Sequence, residues 1–236
     1  MPSPSSPQLS VVVSGTRKGA SLNDQAYALL KNEILLCRLA PGAEISEGVL
    51  VQRFGLGKAP IRHALGRLRQ EKFVLTRGRL GNIVAPITLQ DVREVFQLRL
   101  LLEIEATRLA AGRVDAEILR TLEAQVEACH AAGNATTDDA YREANYALHT
   151  YIARAGGNER LAGMVAALIE QHERIIHFSL RVQNRPAEFH HVHDNLVEAL
   201  IAGDGARASQ IAEATIRASQ TRIIEAFVAE TPARPD

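Results

Sequence analysis

The chain has 236 residues, of which 46% are hydrophobic and 23% charged, and 27 basic side chains balance 27 acidic ones. This composition is typical of an ordinary soluble globular protein. No segment approaches the ~20 consecutive apolar residues of a membrane span, and the first ten residues lack the pattern of a secretory signal. We therefore expect a cytoplasmic protein with no membrane partner. Cys37 and Cys129 form no CxxC pair, which argues against a disulfide framework or a cysteine zinc site.

The neutral total hides an uneven distribution of charge along the chain. Residues 1–86 carry 12 basic and 5 acidic side chains, whereas residues 87–236 carry 15 and 22. Seven of the eight histidines lie in the second part, where they are compatible with ligand or metal chemistry. A basic first part and an acidic second part indicate two domains with different partners.

The first part predicts three helices and a hairpin. Residues 1–20 are rich in Ser, Pro and Gly, so we expect a disordered tail there, and a second tail at 231–236. Apolar spacing predicts helices from Leu22 to before Pro41, after a capping Ser46, and from Lys58 to about Lys72. Two short strands, 73–76 and 83–86, enclose a basic turn that contains glycine. Residues 21–86 are thus predicted to form a winged helix-turn-helix domain.

The second part predicts helices alone. Apolar spacing and glycine-containing breaks give about six helices, at roughly 88–112, 115–132, 136–155, 158–180, 187–202 and 205–229. Helices joined by short breaks favour an antiparallel bundle. The predicted fold is therefore mainly α, with a winged helix-turn-helix followed by a helical domain over residues 87–230.

The third helix carries the candidate contacts to DNA. Lys58 and Arg62 are four residues apart and share a face at its first turn, and Arg67 lies on the flank. At a helix N-terminus, cationic side chains can reach base edges while the backbone N–H groups favour a phosphate. Arg77, Gly78 and Arg79 form the hairpin tip, where long cations can grip phosphate or enter a minor groove. The alternative is a basic face that contacts only water.

The same helix carries a recognisable motif. The run L-G-K-A-P-I-R-H-A-L-G-R-L at residues 56–68, followed by Gly78, resembles the GntR superfamily of bacterial regulators, with its usual V-S-R-x-P-V-R-E-A-L-x-R-L. The resemblance implies that Lys58, Arg62 and the tip Arg77-Gly78 read the operator. Gly57 replaces the usual capping serine, and Gly48 an arginine often found on the second helix. Lys58 stands where an arginine is usual, and lysine cannot make a bidentate pair with guanine, so the operator is expected to differ at that base.

The helical part resembles the FCD effector domain of the FadR subfamily. That resemblance implies a divalent metal site, for zinc, nickel or manganese, with one Asp or Asn and three histidines. Asn145 and His149 match the first pair, His193 matches the next ligand, and Thr215 falls at the fourth position. His193 and Thr215 lie 11 residues either side of Asp204, so antiparallel helices would bring them opposite each other.

Thr215 leaves the metal question open at this stage. An alcohol is a poor zinc ligand, so an ion would need water, an effector carboxylate, or a substitute such as His172 or His177. The alternative is a polar core without metal, in which Asn145, His149, His193 and Thr215 satisfy one another by hydrogen bonds.

Arg99 is the first candidate effector ligand. It lies on an otherwise apolar stripe of its helix, and a buried arginine needs an anionic partner. Glu103, one turn away, can supply an ion pair. The functional alternative is that Arg99 clamps the carboxylate of a bound acid, as FCD domains imply for an arginine near this position. Thr215 and Arg174 are the further candidates for effector binding.

These features predict a ligand-responsive DNA-binding transcriptional regulator. Two reading heads on a two-fold axis would bind a palindromic operator as a homodimer. We expect repression that a small, carboxylate effector releases, although activation fits the same residues. The alternatives are a helical metalloenzyme using His149 and His193, which lacks an evident general base, and a metal-free regulator that binds a larger acyl ligand.

Overall fold

The computed structural model describes residues 21–78, 81–131, 139–183 and 194–229. The predicted tails and the predicted helix start at residue 187 lie outside these residues. Nine helices and three short strands occur in the described part. They are α1 Leu22–Leu35, β1 Glu44–Ile45, α2 Glu47–Phe54, α3 Lys58–Gln70, β2 Val74–Thr76, β3 Asn82–Val84, α4 Leu89–Ala110, α5 Ala116–Ala131, α6 Asp139–Ala155, α7 Glu159–Gln183, α8 Asp194–Ile201 and α9 Gly205–Ala229.

The described chain forms two compact units. The first contains residues up to 31 and 44–83, and the second contains 32–43 and the residues from 84 onward. The predicted fold class is confirmed: a winged helix-turn-helix precedes an all-helical domain.

Local signals in the sequence explain the helix-turn-helix of the first unit. Ser46 accepts a hydrogen bond from the backbone N–H of Val49 and caps α2, and Gly55 ends α2 at φ 64°, a left-handed conformation that favours glycine. The inward faces of the helices meet in one core. Its fully buried members include Ala26, Leu30, Ile61, Ala64, Leu65, Leu68 and Phe73.

The wing is a three-stranded sheet rather than the predicted two-stranded hairpin. Its strand order is β1-β3-β2, with Glu44 opposite Ile83 and Ile45 opposite Asn82 in antiparallel register. Strand β1 was not predicted, because two residues are too few to show an alternation of polar and apolar side chains.

Helix α4 is central to the second unit. Thr88 and Asp91 form a capping box at its start, each side chain bonding the other's backbone N–H. Helix α4 then packs against α6, α7 and α9. The loop between α4 and α5 contacts the loop between α8 and α9 at Gly112 and Gly203. A Cβ on Gly112 would lie 3.4 Å from the Gly203 Cα. Among the described residues, the helices are all too short or too polar to cross a membrane.

Candidate functional site

Most of the predicted site residues lie on two surfaces, an exposed helix face and the lining of a cavity. The first is the outer face of α3. Ile61, Ala64, Leu65 and Leu68 are buried, which turns Lys58 and Arg62 outward at the first turn. Gly57 is the N-cap residue of α3 and has no side chain that could accept a hydrogen bond. The first backbone N–H groups of the helix are therefore not bonded by a capping side chain. This end of α3 therefore presents two cations beside the positive end of the helix dipole.

Arg62 is held by an acidic side chain of the preceding helix. Its Nε donates to Glu47 Oε2 at 2.8 Å, while the Arg62 side chain remains 66% exposed. A carboxylate on Nε limits the rotamers of the long side chain and keeps the guanidinium on the outer face of the helix.

Two other arginines of α3 contact residues of their own unit. Arg67 donates to Asp24 at 3.0 Å, and its guanidinium stacks 3.6 Å above the centre of the Tyr27 ring. Arg69 donates to Asn82 of β3 at 2.9 Å. These contacts fix the helix against α1 and the wing, and a DNA contact by Arg67 stays a prediction.

The tip of the wing places one predicted cation in solvent. Arg77 is exposed, and its backbone N–H donates to Gly81 O at 2.8 Å across the turn. Gly78 has φ 47°, which the turn requires and which a side chain would disfavour. Arg79 lies outside the described residues.

The second surface is a cavity inside the helical unit. The space that the centre of a water-sized sphere can occupy is about 30 Å³. Its polar walls come from α4, α6 and α9, and the rest is apolar. The polar lining residues are Arg99, Glu103, Thr107, His149 and Thr215, and the apolar ones are Ala106, Ile152, Ala153, Val165, Leu196, Ala212 and Ile216.

Arg99 and Glu103 form the buried ion pair that the helix stripe predicted. Nε of Arg99 donates to Glu103 Oε1, and Nη2 lies 3.3 Å from Oε2. Burial by itself raises the pKa of Glu103, but the charge of Arg99 and a hydrogen bond from His149 lower it to about 2. Glu103 is therefore ionised at neutral pH. Nη1 of Arg99 is buried with no hydrogen-bond partner in the described structure.

Glu103 also holds His149, one of the predicted metal ligands. Nδ1 of His149 lies 3.3 Å from Glu103 Oε2. An ionised carboxylate can only accept, so Nδ1 of His149 donates the hydrogen bond to Glu103. One carboxylate thus orients both the guanidinium and the imidazole.

Asn145, the other predicted ligand on α6, is held by a second buried carboxyl group. Its Nδ2 donates to Glu173 Oε1 of α7 at 2.9 Å, and its Oδ1 is buried without a hydrogen-bond partner among the described residues. Burial raises the pKa of Glu173 to about 8, although the hydrogen bond from Asn145 opposes the rise. Glu173 is therefore largely protonated at neutral pH.

The remaining predicted residues take different places. Thr215 lines the cavity beside Ile216, whereas Arg174 is not among its lining residues and donates to the carbonyl of Ala85. His172 packs edge-on against Phe96 and lies 3.3 Å from the Ser219 hydroxyl. His193 lies outside the described residues, and the described part contains no cluster of three His, Cys, Asp or Glu side chains that could hold a metal.

Glu47 and Glu173 were not among the predicted site residues, and the contact of Glu103 with His149 was not predicted either. The i, i+4 spacing predicted the pairing of Arg99 with Glu103. Contacts between separate helices, such as Glu103 with His149 and Glu173 with Asn145, leave no periodic signal. A charged residue on the buried face of α7 was the signal that could have pointed to Glu173.

Two family models match the chain in the same order as the two units. The model described as "Bacterial regulatory proteins, gntR family" matches residues 22–84, and the FCD domain model matches residues 94–218. The uncharacterized HTH-type transcriptional regulator YdhC of Bacillus subtilis is 31% identical over 155 residues, which are 65% of this chain and 67% of YdhC. The HTH-type transcriptional repressor GlaR of Escherichia coli K12 is 29% identical over 195 residues, 78% of this chain and 88% of GlaR.

Solved structures share the fold. E. coli McbR/YncC superposes with a TM-score of 0.74 at 21% identity, over 88% of this chain and 99% of its own. A putative GntR regulator from Rhodococcus sp. RHA1 gives a TM-score of 0.72 at 18% identity, over 87% and 99% of the two chains.

Proposed function

Because the chain belongs to the gntR family of bacterial regulatory proteins and carries an FCD domain, we propose that it is a dimeric repressor that releases a palindromic operator when a small carboxylate binds in its helical unit. The family and the named relatives are transcriptional regulators. The chain is therefore a transcriptional regulator and not an enzyme, and the alternative of a metalloenzyme is wrong.

The outer face of α3 supports specific reading of DNA. Arg62 is exposed and held by Glu47, so it is ordered before it meets a base pair. Lys58, on the same face, is exposed and can add a contact to a base or a phosphate. A single short helix makes few base contacts, and two copies on a two-fold axis double them, which supports the palindrome and the dimer.

The effector assignment rests on Nη1 of Arg99, which has no hydrogen-bond partner among the described residues. A buried N–H without an acceptor costs free energy, and a ligand that brings an acceptor recovers it. A carboxylate is the acceptor that an arginine binds most strongly. The rest of the cavity is mainly apolar and small, so the ligand is a short acid with a compact apolar body rather than a long acyl chain.

A divalent cation is the second ligand that we propose for the helical unit. The buried Oδ1 of Asn145 has no hydrogen-bond partner among the described residues, and an amide oxygen and a histidine nitrogen such as that of His149 are atoms that divalent metals bind. His193 is the third ligand that we assign. A bound cation would supply positive charge to balance the effector carboxylate. Zinc, nickel and manganese all accept this nitrogen and oxygen set.

Control of DNA binding requires that the effector prefer one conformation of the dimer. We infer that the effector-bound conformation holds the two reading heads at a spacing that the operator does not match. The effector then lowers operator affinity by as much as its own affinity differs between this conformation and the DNA-binding conformation. The direction of control can therefore be measured as the change in operator affinity when the effector binds.

The test uses Arg99→Lys, which keeps a cation beside Glu103 but loses the guanidinium fork. We expect short carboxylates to raise the melting temperature of the metal-loaded wild-type chain and to release labelled operator DNA. Arg99→Lys should lose both responses, and the exposed Arg108→Lys on the same helix should keep them. Responses retained in Arg99→Lys, or responses to long-chain fatty acids alone, would contradict the proposal.

A further inference from the structure

The cavity of the helical unit has a second polar region beyond the ion pair of Arg99 and Glu103. Thr107 lies one turn after Glu103 on α4, so the three residues are spaced four apart and share one face of the helix. All three line the cavity, and Thr107 is only 5% exposed. Thr215 lines the cavity from α9, which packs against α4. The cavity therefore combines a buried ion pair with two neutral hydroxyl groups.

The hydroxyl groups of these two threonines lack the bond that is usual in a helix. A threonine or serine inside a helix often donates to the carbonyl four residues earlier. This bond is present at Thr121, Thr150, Ser209 and Thr221. Neither Thr107 nor Thr215 makes a side-chain hydrogen bond within the part of the chain that the structure describes. A hydroxyl that loses water without gaining a partner costs free energy, which a ligand that bonds it recovers.

The charges of the lining limit the second polar group that a bound acid can carry. Among the described residues that line the cavity, Arg99 is the only arginine or lysine. It already faces Glu103, so a second carboxylate on the ligand would be buried without a cation of its own. A hydroxyl group is neutral, and it can donate to one threonine and accept from the other.

We propose that Thr107 and Thr215 form a second polar anchor in the cavity, which selects short carboxylic acids that carry a hydroxyl group. This inference rests on the proposed function, in which Arg99 binds the carboxylate. It adds the residues that distinguish a hydroxy acid from the same acid without the hydroxyl. The parent acid would leave both threonines without a partner, and a polar site rejects an apolar analogue in this way.

The experiment measures the affinity of the full chain for acids that differ by one hydroxyl group. The saturated acids from propionate to hexanoate are compared with their 2-hydroxy and 3-hydroxy forms by isothermal titration calorimetry. At least one hydroxy acid should bind the wild type about 10-fold more tightly than its parent acid, because its hydroxyl gives the threonines a partner.

Four variants test which side chains carry this preference. Thr107→Val removes the hydroxyl at nearly the same volume and should reduce the preference to about 1, with little change in the affinity for the parent acid. Thr107→Ser retains the hydroxyl and should retain the preference. Thr215→Val should lower the preference from the facing helix. Thr221→Val, the same change at an exposed position of α9, is the matched control and should bind like the wild type.

The melting temperature of the ligand-free variants separates selection from a structural role. The hydroxyl of Thr107 has no partner in the described structure, so Thr107→Val should melt at the wild-type temperature or above it. A threonine that only holds the helices together would instead lower the melting temperature and leave the preference unchanged. If Thr107→Val does not fold, Thr215→Val decides.

Two results would overturn the inference, and they are distinguishable. The threonines do not select the ligand if both valine variants keep the wild-type preference, or if the wild type binds hydroxy acids and parent acids equally. Loss of binding in Arg99→Lys would then still support the carboxylate site of the proposed function. If the wild type binds no acid of the series, the short carboxylate effector itself fails, and the selection fails with it.

Discussion

At the scale of single residues, the two surfaces use acidic side chains in the same way. Glu47 accepts a hydrogen bond from the exposed Arg62, and Glu103 accepts hydrogen bonds from the buried Arg99 at the cavity. The two pairs differ in energy because the first is solvated and screened, whereas the second is buried. Removing Glu47 should therefore affect DNA reading more than folding, whereas removing Glu103 should affect both folding and effector binding.

Arg62→Ala tests the reading role of α3. We expect a loss of ~1–3 kcal/mol in operator affinity and a relaxed preference at one base position, because the base-edge contact disappears. Fluorescence anisotropy with the operator and with single-base variants measures both effects. Arg207→Ala, an exposed change in the helical unit, is the control. Unchanged affinity in Arg62→Ala would mean that α3 is not the reader.

Glu173 predicts a pH dependence of stability in the metal-free chain. Its pKa in the folded chain is about 8, above the ordinary value of 4.5. A raised pKa stabilises the folded state below the unfolded pKa, and this contribution is lost as the pH rises from about 4.5 through 8. The loss is on the order of 4 kcal/mol in the free energy of unfolding.

Urea unfolding of the wild type and of Glu173→Gln across this pH range measures the effect. The glutamine does not titrate, so the variant should gain stability relative to the wild type as the pH rises towards 8. Parallel pH profiles for the two proteins would show that Glu173 does not titrate with a raised pKa.

At the scale of elements, the wing is expected to contribute affinity without sequence preference. The glycine-bearing turn presents Arg77 to solvent, and Arg79 follows it in the sequence. Arg79→Ala should weaken binding to all DNA sequences similarly and reduce the slope of log affinity against log salt by about 1, since one phosphate contact is lost. A change in base preference with an unchanged salt slope would assign Arg79 to base reading.

The elements themselves were largely predictable, and the contacts between them were not. Helices α4 to α7 follow apolar periodicity and glycine-containing breaks, and α2 follows the cap at Ser46. The ion pair of Arg99 with Glu103 was predictable because both residues lie on one helix. The contact of Asn145 with Glu173 joins two helices, and its geometry depends on how they pack.

At the scale of the whole molecule, the proposed reading of a palindromic operator requires a dimer. Light scattering of the full chain should give about twice the 25.7 kDa of one subunit at micromolar concentration. Helix α4 exposes Leu98 at 46% and Leu101 at 62%, apolar surface that a subunit contact would cover. A mass equal to one subunit, with full operator affinity, would contradict the two-headed mode of binding.

The most direct test of the central claim is selection of bound sequences from a random duplex library by the full chain. A dimer with two reading heads should enrich one consensus with two-fold symmetry, whose half-sites are read by two copies of α3. The same selection with Arg62→Ala should give a consensus degraded at the symmetric positions. Absence of any enriched sequence, or a consensus without symmetry, would contradict specific reading of a palindrome by a dimer.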